Sequence, residues 1–211
     1  RPPMTNILLL TTSPRGEASQ STRIASTLVD SLVEAHPGAR VVTRDLDRTP
    51  LPHIGESFVT AQGLAPEARS EEQRSAIALS DELIAELQGA DIVVIASAMI
   101  NFGITSTLKA WIDYVTRARV TFRYSETGVP EGLLHGKKVY LVNARGGLYA
   151  DEPMRAINFQ DAYLRHTLGF IGLTDLELIP VEGLLMGPET AEKALAEAAA
   201  QARSAGLRHA A

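Results

Sequence analysis

The chain has 211 residues, 45% of them hydrophobic, with a net charge of −5 and no cysteine. That is enough for one ordinary domain with a sizeable core, and it excludes disulfides, thiolate chemistry and cysteine-ligated metals. Acids and bases are interspersed without a basic block, which argues against a nucleic-acid partner. No apolar run approaches the ~20 residues that span a bilayer, and no basic stretch leads into an apolar one as in a signal peptide. The expectation is a cytoplasmic protein with no membrane partner. Arg1-Pro2-Pro3 before Met4 reads as an expression remnant, leaving 4–211 as a single domain.

Asn6–Thr11 (NILLLT) predicts a buried strand close to the start. A loop rich in Ser, Thr and Gly follows. Then Ile24, Leu28, Leu32 and Ala35 recur at helical spacing until Pro37-Gly38 stops them. Ser19 and Ser21 stand at that helix's start, where free N–H groups and the helix dipole favour an anion. With no Walker A motif and no GxGxxG, these hydroxyls and amides suit a single terminal phosphate. Capping by Ser19 or Ser21, worth ~1 kcal/mol, explains them as well. Arg40–Asp45 reads as a strand near a sheet edge. Leu46–Pro66 reads as a loop, long for a compact domain and therefore functional or mobile. Ser70–Gln88 predicts a helix with a Ser70/Gln73 capping box and Gly89 just past its end.

Ile92–Ile95 is a continuous apolar run, as in a strand buried on both faces. It ends in Ala96-Ser97-Ala98 and then Met99-Ile100-Asn101-Phe102-Gly103. A helix follows, with Leu108, Ile112 and Val115 on one face. Met99, Asn101 and Phe102 suit a flat, mostly apolar ring with polar edges, and a packed core loop is the plain alternative. Trp111 is expected in the core or at a dimer interface rather than stacked on a ligand. Arg119–Tyr124 and the Gly- and Pro-rich Ser125–Leu134 read as an extended excursion. Lys138–Asn143 is the next buried strand and ends in Ala144-Arg145-Gly146-Gly147, whose glycines let backbone approach a ligand. Arg145 reads equally as a surface residue and the glycines as a tight turn. Asp161–Phe170 is a helix, Leu176–Pro180 the last strand. Gly187-Pro188-Glu189 opens an Ala-rich final helix with Gly206 near its end. His36, His53, His135, His166 and His209 fall in helix ends, loops and tail, and read as structural or solvated.

Five strands alternating with helices predict an α/β, doubly wound, five-stranded parallel sheet in the order 2-1-3-4-5. Ligands bind in such sheets at the carboxyl ends of the strands. The loops after the first, third and fourth strands converge there, one phosphate-like and two suited to a planar heterocycle. Flavin mononucleotide (FMN) is the economical ligand.

The chain resembles the bacterial FMN-dependent NADH-azoreductases, among the flavodoxin-like quinone reductases. The likeness is carried by Ser13, Ser19-Gln20-Ser21, ALSDELIAEL at 78–87, Met99-Ile100-Asn101-Phe102, 104–111, TFRY at 121–124, Pro130-Glu131-Gly132, Arg145-Gly146-Gly147, LGFIGLT at 168–174 and EGLLMGPE at 182–189. The resemblance implies a flavodoxin-like fold and a homodimer with FMN near the interface. It implies NADH, or less often NADPH, as donor, and quinones and aromatic azo compounds as acceptors. By position, Ser13, Ser19, Gln20 and Ser21 would hold the phosphate. Met99, Ile100, Asn101 and Phe102 would flank the ring, with Ala144, Arg145, Gly146 and Gly147 along its polar edge. Ile100 replaces a common aromatic and Ala144 a frequent serine, so ring packing and one hydrogen bond would differ.

With FMN bound, hydride would pass through flavin N5, and one ring face used in turn by donor and acceptor predicts ping-pong order, with no catalytic side chain and no metal. An electron-carrying flavodoxin, or an FMN-binding regulator without turnover, is the alternative. Such carriers tend to be shorter and strongly acidic. The 46–66 and 120s segments would wall a substrate pocket instead.

Overall fold

In a computed structural model, which describes residues 4–209, the strands and helices alternate as their sequences dictate. The set-aside Arg1-Pro2-Pro3 lies outside the described residues. The first strand, β1 (Asn6–Thr11), leads to α1 (Gln20–Ala35), β2 (Arg40–Asp45), α2 (Glu56–Ala61), α3 (Glu71–Gly89) and β3 (Ile92–Ala98). Then come α4 (Ser106–Val115), β4 (Phe122–Tyr124), β5 (Pro130–Gly132), β6 (Lys138–Ala144), α5 (Phe159–Phe170), β7 (Asp175–Val181) and α6 (Pro188–Arg208). Five strands pair in parallel in the order β2-β1-β3-β6-β7, the expected 2-1-3-4-5. Arg40–Asp45 is indeed an edge strand. β4 and β5 form a separate antiparallel hairpin, which is the excursion read from the 120s.

The side-chain alternation of the central strands splits the core into two layers. Ile7, Leu9, Ile92, Val94 and Val142 face α1 and α6. Leu8, Leu10, Val93, Ile95 and Leu141 face α3, α4 and α5. Each such fully buried aliphatic side chain contributes roughly 1.5–3 kcal/mol, which is why β1, β3 and β6 form the rigid centre. Trp111 is fully buried in the second layer, as expected of a core residue. Gly206 is required where α6 crosses α1, because a Cβ there would stand 2.5 Å from Ser31 Oγ.

Local signals set the helix starts. Ser19 accepts from the Thr22 N–H, Thr105 from Leu108, and Ser70 with Gln73 completes the capping box. The structure corrects two readings of element bounds. Leu46–Pro66 is not all loop, because α2 lies inside it. That helix is held by two anchors, Phe58 and Ala61, with the Phe58 ring edge-on to Tyr114 at 4.9 Å. Six residues with two buried side chains are too few to show a period. Gly89, read as following the third helix, forms its last residue.

The hairpin is seated on the body where β5 meets the turn after α5. A Cβ at Gly132 would lie 2.1 Å from the Gly172 backbone nitrogen, and Leu134 N donates to Ile171 O at 2.9 Å. Backbone on both sides leaves nothing flexible to move aside. Gly132→Ala is therefore expected to cost about 1–3 kcal/mol, the usual range for overpacking, as a lower urea midpoint at unchanged slope.

Candidate functional site

The carboxyl ends of β1, β3, β6 and β7 surround a cleft of about 240 Å³. Its polar end is the start of α1. Ser13, Ser19 and Ser21 are almost wholly buried there, Ser19 and Ser21 each 1% exposed. Ser19 Oγ and Ser21 Oγ are 3.1 Å apart, and Ser19 Oγ accepts from Thr22 N at 3.2 Å. Ser13 Oγ accepts from Arg15 N at 3.3 Å. The N–H groups of Gln20 and Ser21 have no partner among the described residues. Capping and an open donor set thus coexist at this helix start.

The apolar wall comes from the end of β3. Met99 N donates to Ala144 O at 2.8 Å, which ties the β3 and β6 loops together. Ile100 and Gly103 exchange hydrogen bonds of 3.0 and 3.1 Å across a two-residue turn. Its central residues, Asn101 and Phe102, have φ of +48° and +72°. Two positive φ values make this a type I′ turn, which favours Asn-Gly. Asn fits the first position, whereas a phenylalanine at the second stores strain of the kind concentrated at functional sites. Phe102 O is held by Phe159 N at 3.1 Å.

The third wall pairs the β6 and β7 loops. Arg145 N donates to Val181 O, Leu185 N to Gly146 O and Gly183 N to Gly147 O, all within 2.9–3.0 Å. A Cβ at Gly146 would stand 2.6 Å from Leu185 Cδ1, so glycine lets the two loops close on each other. Beneath them the Arg145 side chain, 3% exposed, bonds Asp161 Oδ1 at 2.7 Å and Glu182 Oε2 at 3.2 Å. Gln160 Oε1 accepts from Arg145 at 3.3 Å, and Gln160 Nε2 donates to Ser97 Oγ at 3.0 Å. Asn143 and Asn158 donate to the two Asp161 oxygens, and Glu182 accepts from the Tyr149 N–H. Burial alone would raise the Asp161 pKa. The hydrogen bonds from Arg145, Asn143 and Asn158, with the Arg145 charge, outweigh it and hold this carboxyl below its ordinary range. Burial likewise opposes the Arg145 charge, and the two carboxylates overcome it and raise that pKa.

Of the residues singled out from sequence, Ser13, Ser19, Gln20, Ser21, Met99, Ile100, Ala144, Arg145 and Gly146 border this one cleft. Asn101 and Phe102 stand in the exposed turn beyond Ile100, and Gly147 lies behind Gly146; none of these three lines the cleft. Arg145 is neither a surface residue nor turned toward the cleft with its charge, because a guanidinium out of water is stable only against its carboxylates. Pro14, Arg15, Ala98, Leu184 and Leu185 also line the cleft and were not assigned to the FMN site from sequence. Leu184-Leu185-Met186, an apolar run after a strand, was the available signal for that fourth loop. None of the five histidines lines the cleft, and His36 and His209 pair with each other at 3.0 Å. No group of three or more acidic, histidine or cysteine side chains able to hold a metal occurs among the described residues. No described helix is long and apolar enough to cross a membrane.

Residues 5–205 match the Flavodoxin_2 family, described as having the flavodoxin-like fold. The chain is 53% identical over 195 residues to FMN-dependent NADH:quinone oxidoreductase 1 of Rhizobium etli, covering 92% of this chain and 95% of that protein. It is 48% identical over 201 residues to FMN-dependent NADH:quinone oxidoreductase 2 of the same organism, covering 95% and 97%. Among solved structures, an azoreductase from Bacillus anthracis superposes with a TM-score of 0.90 at 31% identity, covering 97% of this chain and 100% of that one.

Two outcomes are expected from the site's geometry. Because the folded-state pKa of Asp161 is depressed, its stabilisation is complete above the unfolded value near ~3.9 and is lost as pH falls through the lower folded value. Asp161→Asn should cost about 3 kcal/mol at pH 7, the low end for breaking a buried pair, and should flatten the loss of stability below about pH 4 in acid unfolding curves. Phe102→Gly removes a left-handed strain of about 1 kcal/mol. It should raise the thermal midpoint, and an unchanged or lower midpoint would show that Phe102 contacts outweigh the strain.

Proposed function

The chain belongs to the flavodoxin-like Flavodoxin_2 family, and from that premise we propose that it is an FMN-dependent NADH:quinone oxidoreductase that also reductively cleaves aromatic azo compounds. The observation that carries this reading is a single cleft in which a donor-rich helix start faces an apolar wall. Ser13, Ser19, Gln20 and Ser21 fit a phosphate monoester, with buried hydroxyls and unpaired N–H groups where the helix dipole favours negative charge. Ala98, Met99, Ile100, Leu184 and Leu185 fit the faces of a flat ring. Asn101 and Phe102 stand in the exposed turn beside it, and among Ala144, Arg145, Gly146 and Gly147 it is Gly146 that brings an unpaired N–H to its polar edge.

FMN held in this cleft would supply the hydride chemistry between NADH or NADPH and the acceptor, for which a ping-pong order is our reading. The protein's share is orientation and electrostatics. The N–H group of Gly146, at the cleft wall and without a partner among the described residues, would offset developing negative charge. No side-chain acid is needed. Phe102, Ile100, Leu185 and Met186 stay exposed around the mouth, Leu185 by 79%. An apolar rim of that kind supports a homodimer whose second subunit shields the cofactor. We place this enzyme in the cytoplasm, with no nucleic-acid or membrane partner.

The test is a titration of apoprotein with FMN, followed by flavin fluorescence. A hydrogen bond to a charged group is worth ~1.5–3 kcal/mol, so Ser19→Ala should weaken FMN binding by about one to two orders of magnitude. Unchanged affinity would remove Ser19 from the phosphate role. Parent protein that binds FMN, bleaches with NADH and turns over a quinone without a partner protein supports the enzyme. Binding without bleaching would point to a carrier or regulator instead.

A further inference from the structure

The buried cluster behind the β6 and β7 loops carries one positive and two negative charges. Arg145 is 3% exposed, Asp161 17% and Glu182 15%, counted over their side chains. Its formal sum is −1, and no other cation pairs with these carboxylates among the described residues. The cluster lies directly behind the cleft wall. Arg145 and Gly146 border the cleft, and so does Leu184, two positions after Glu182. Asp161 is bound to Asn143, the neighbour of Ala144. Glu182 holds both Arg145 and the Tyr149 N–H, so it cannot swing toward solvent without breaking the loop.

Structure alone does not require the second carboxylate. Asp161 already neutralises Arg145, and a neutral acceptor would satisfy the Tyr149 N–H and the guanidinium Nε. A fixed extra negative charge in this place, its side chain 15% exposed, is only partly screened and acts on whatever charge appears in the cleft.

We propose that Glu182 is a positioning residue that acts electrostatically, its charge destabilising reduced FMN relative to oxidised FMN and so making this site a stronger reductant. The proposal rests on the FMN reading above. Two-electron reduction adds electron density, and at neutral pH a negative charge, to a ring already beside a buried net negative cluster. The reduced form therefore binds less tightly than the oxidised one, which lowers the reduction potential by linkage. Charge placed near the ring is one of the few means a protein has to tune a flavin. The consequence is acceptor range. Aromatic azo bonds are harder to reduce than quinones, so a lowered potential extends reduction to them.

The experiment is an anaerobic redox titration of the FMN-loaded protein against a reference dye, with separate measurement of oxidised FMN affinity. At ~10 Å and an effective dielectric of ~20, removing one charge is worth about tenfold in the ratio of reduced to oxidised affinity. Glu182→Gln keeps an acceptor for both hydrogen bonds and should shift that ratio about tenfold toward reduced FMN, a rise of about 30 mV for a two-electron couple. Asp161→Asn should shift it the same way. Glu182→Asp keeps the charge, so its ratio should stay at the parent's even where both affinities fall together. In steady state, Glu182→Gln should lose kcat with an azo acceptor while keeping it with a quinone. An unshifted ratio in Glu182→Gln, or loss of FMN binding by both Glu182→Gln and Asp161→Asn, overturns the proposal and leaves Glu182 a mechanical clamp. Parent protein that fails to bind FMN overturns the FMN reading itself, a separate outcome.

Discussion

A guanidinium removed from water must find its charge and its donors matched at once, and the Arg145 side chain imposes that demand on the whole carboxyl end of the sheet. Its side-chain partners come from two elements distant in sequence. Asp161 and Gln160 stand in the first turn of α5, and Glu182 follows β7 directly. Through Gln160 the cluster also reaches Ser97 at the end of β3. A buried ion pair is weak evidence for net stability, since desolvation offsets most of its Coulombic gain. Its effect here is on geometry. Once Arg145 is buried, the β6 loop, the β7 loop and the start of α5 each have one arrangement that leaves no charge unpaired.

The other two walls of the cleft are set by local chemistry. The start of α1 is open because Ser19 uses its side chain on Thr22 while the preceding amides stay free. The Ile100–Gly103 turn is closed by its own two hydrogen bonds and by Phe159 N on Phe102 O. That last contact joins the strained turn to α5, whose first turn also carries Asp161. The helix after the fourth strand of the sheet thus holds both sides of the site, one through backbone and one through charge. A shift of α5 would move the apolar turn and the glycine loop together.

Much of this was legible in the sequence, and the division has a physical basis. Continuous apolar runs such as Ile92–Ile95 report burial on two faces, so the central strands, their order and the three converging loops could be read directly. Ser19 and Ser21 were legible as a helix start because capping is local. Helix α2 was not, since two buried side chains make no period. The role of Arg145 was not, because its partners lie at 161 and 182 and sequence carries no distance between them. Nor was the turn at Asn101-Phe102, where phenylalanine occupies the position a glycine would announce. The lining residues Leu184 and Leu185 escaped because they follow the last strand of the sheet, away from its central switch point.

A chain with a net charge of −5 that turns free amides and buried hydroxyls toward one cleft presents an anion with an overall field of the wrong sign. It meets that problem by scale. Backbone dipoles at the start of α1 act within the first turn, where they exceed the diluted effect of distant surface charges screened over ~10 Å. The α1 end of the cleft is thus governed by amides and hydroxyls, and the opposite wall is backed by Arg145 with its two carboxylates. On the reading proposed above, a ligand between them would meet the α1 amides at its charged tail, and at its ring both the free Gly146 N–H and the net charge of the cluster behind it. That reading assigns affinity chiefly to the loop after β1 and redox bias to the loops after β6 and β7.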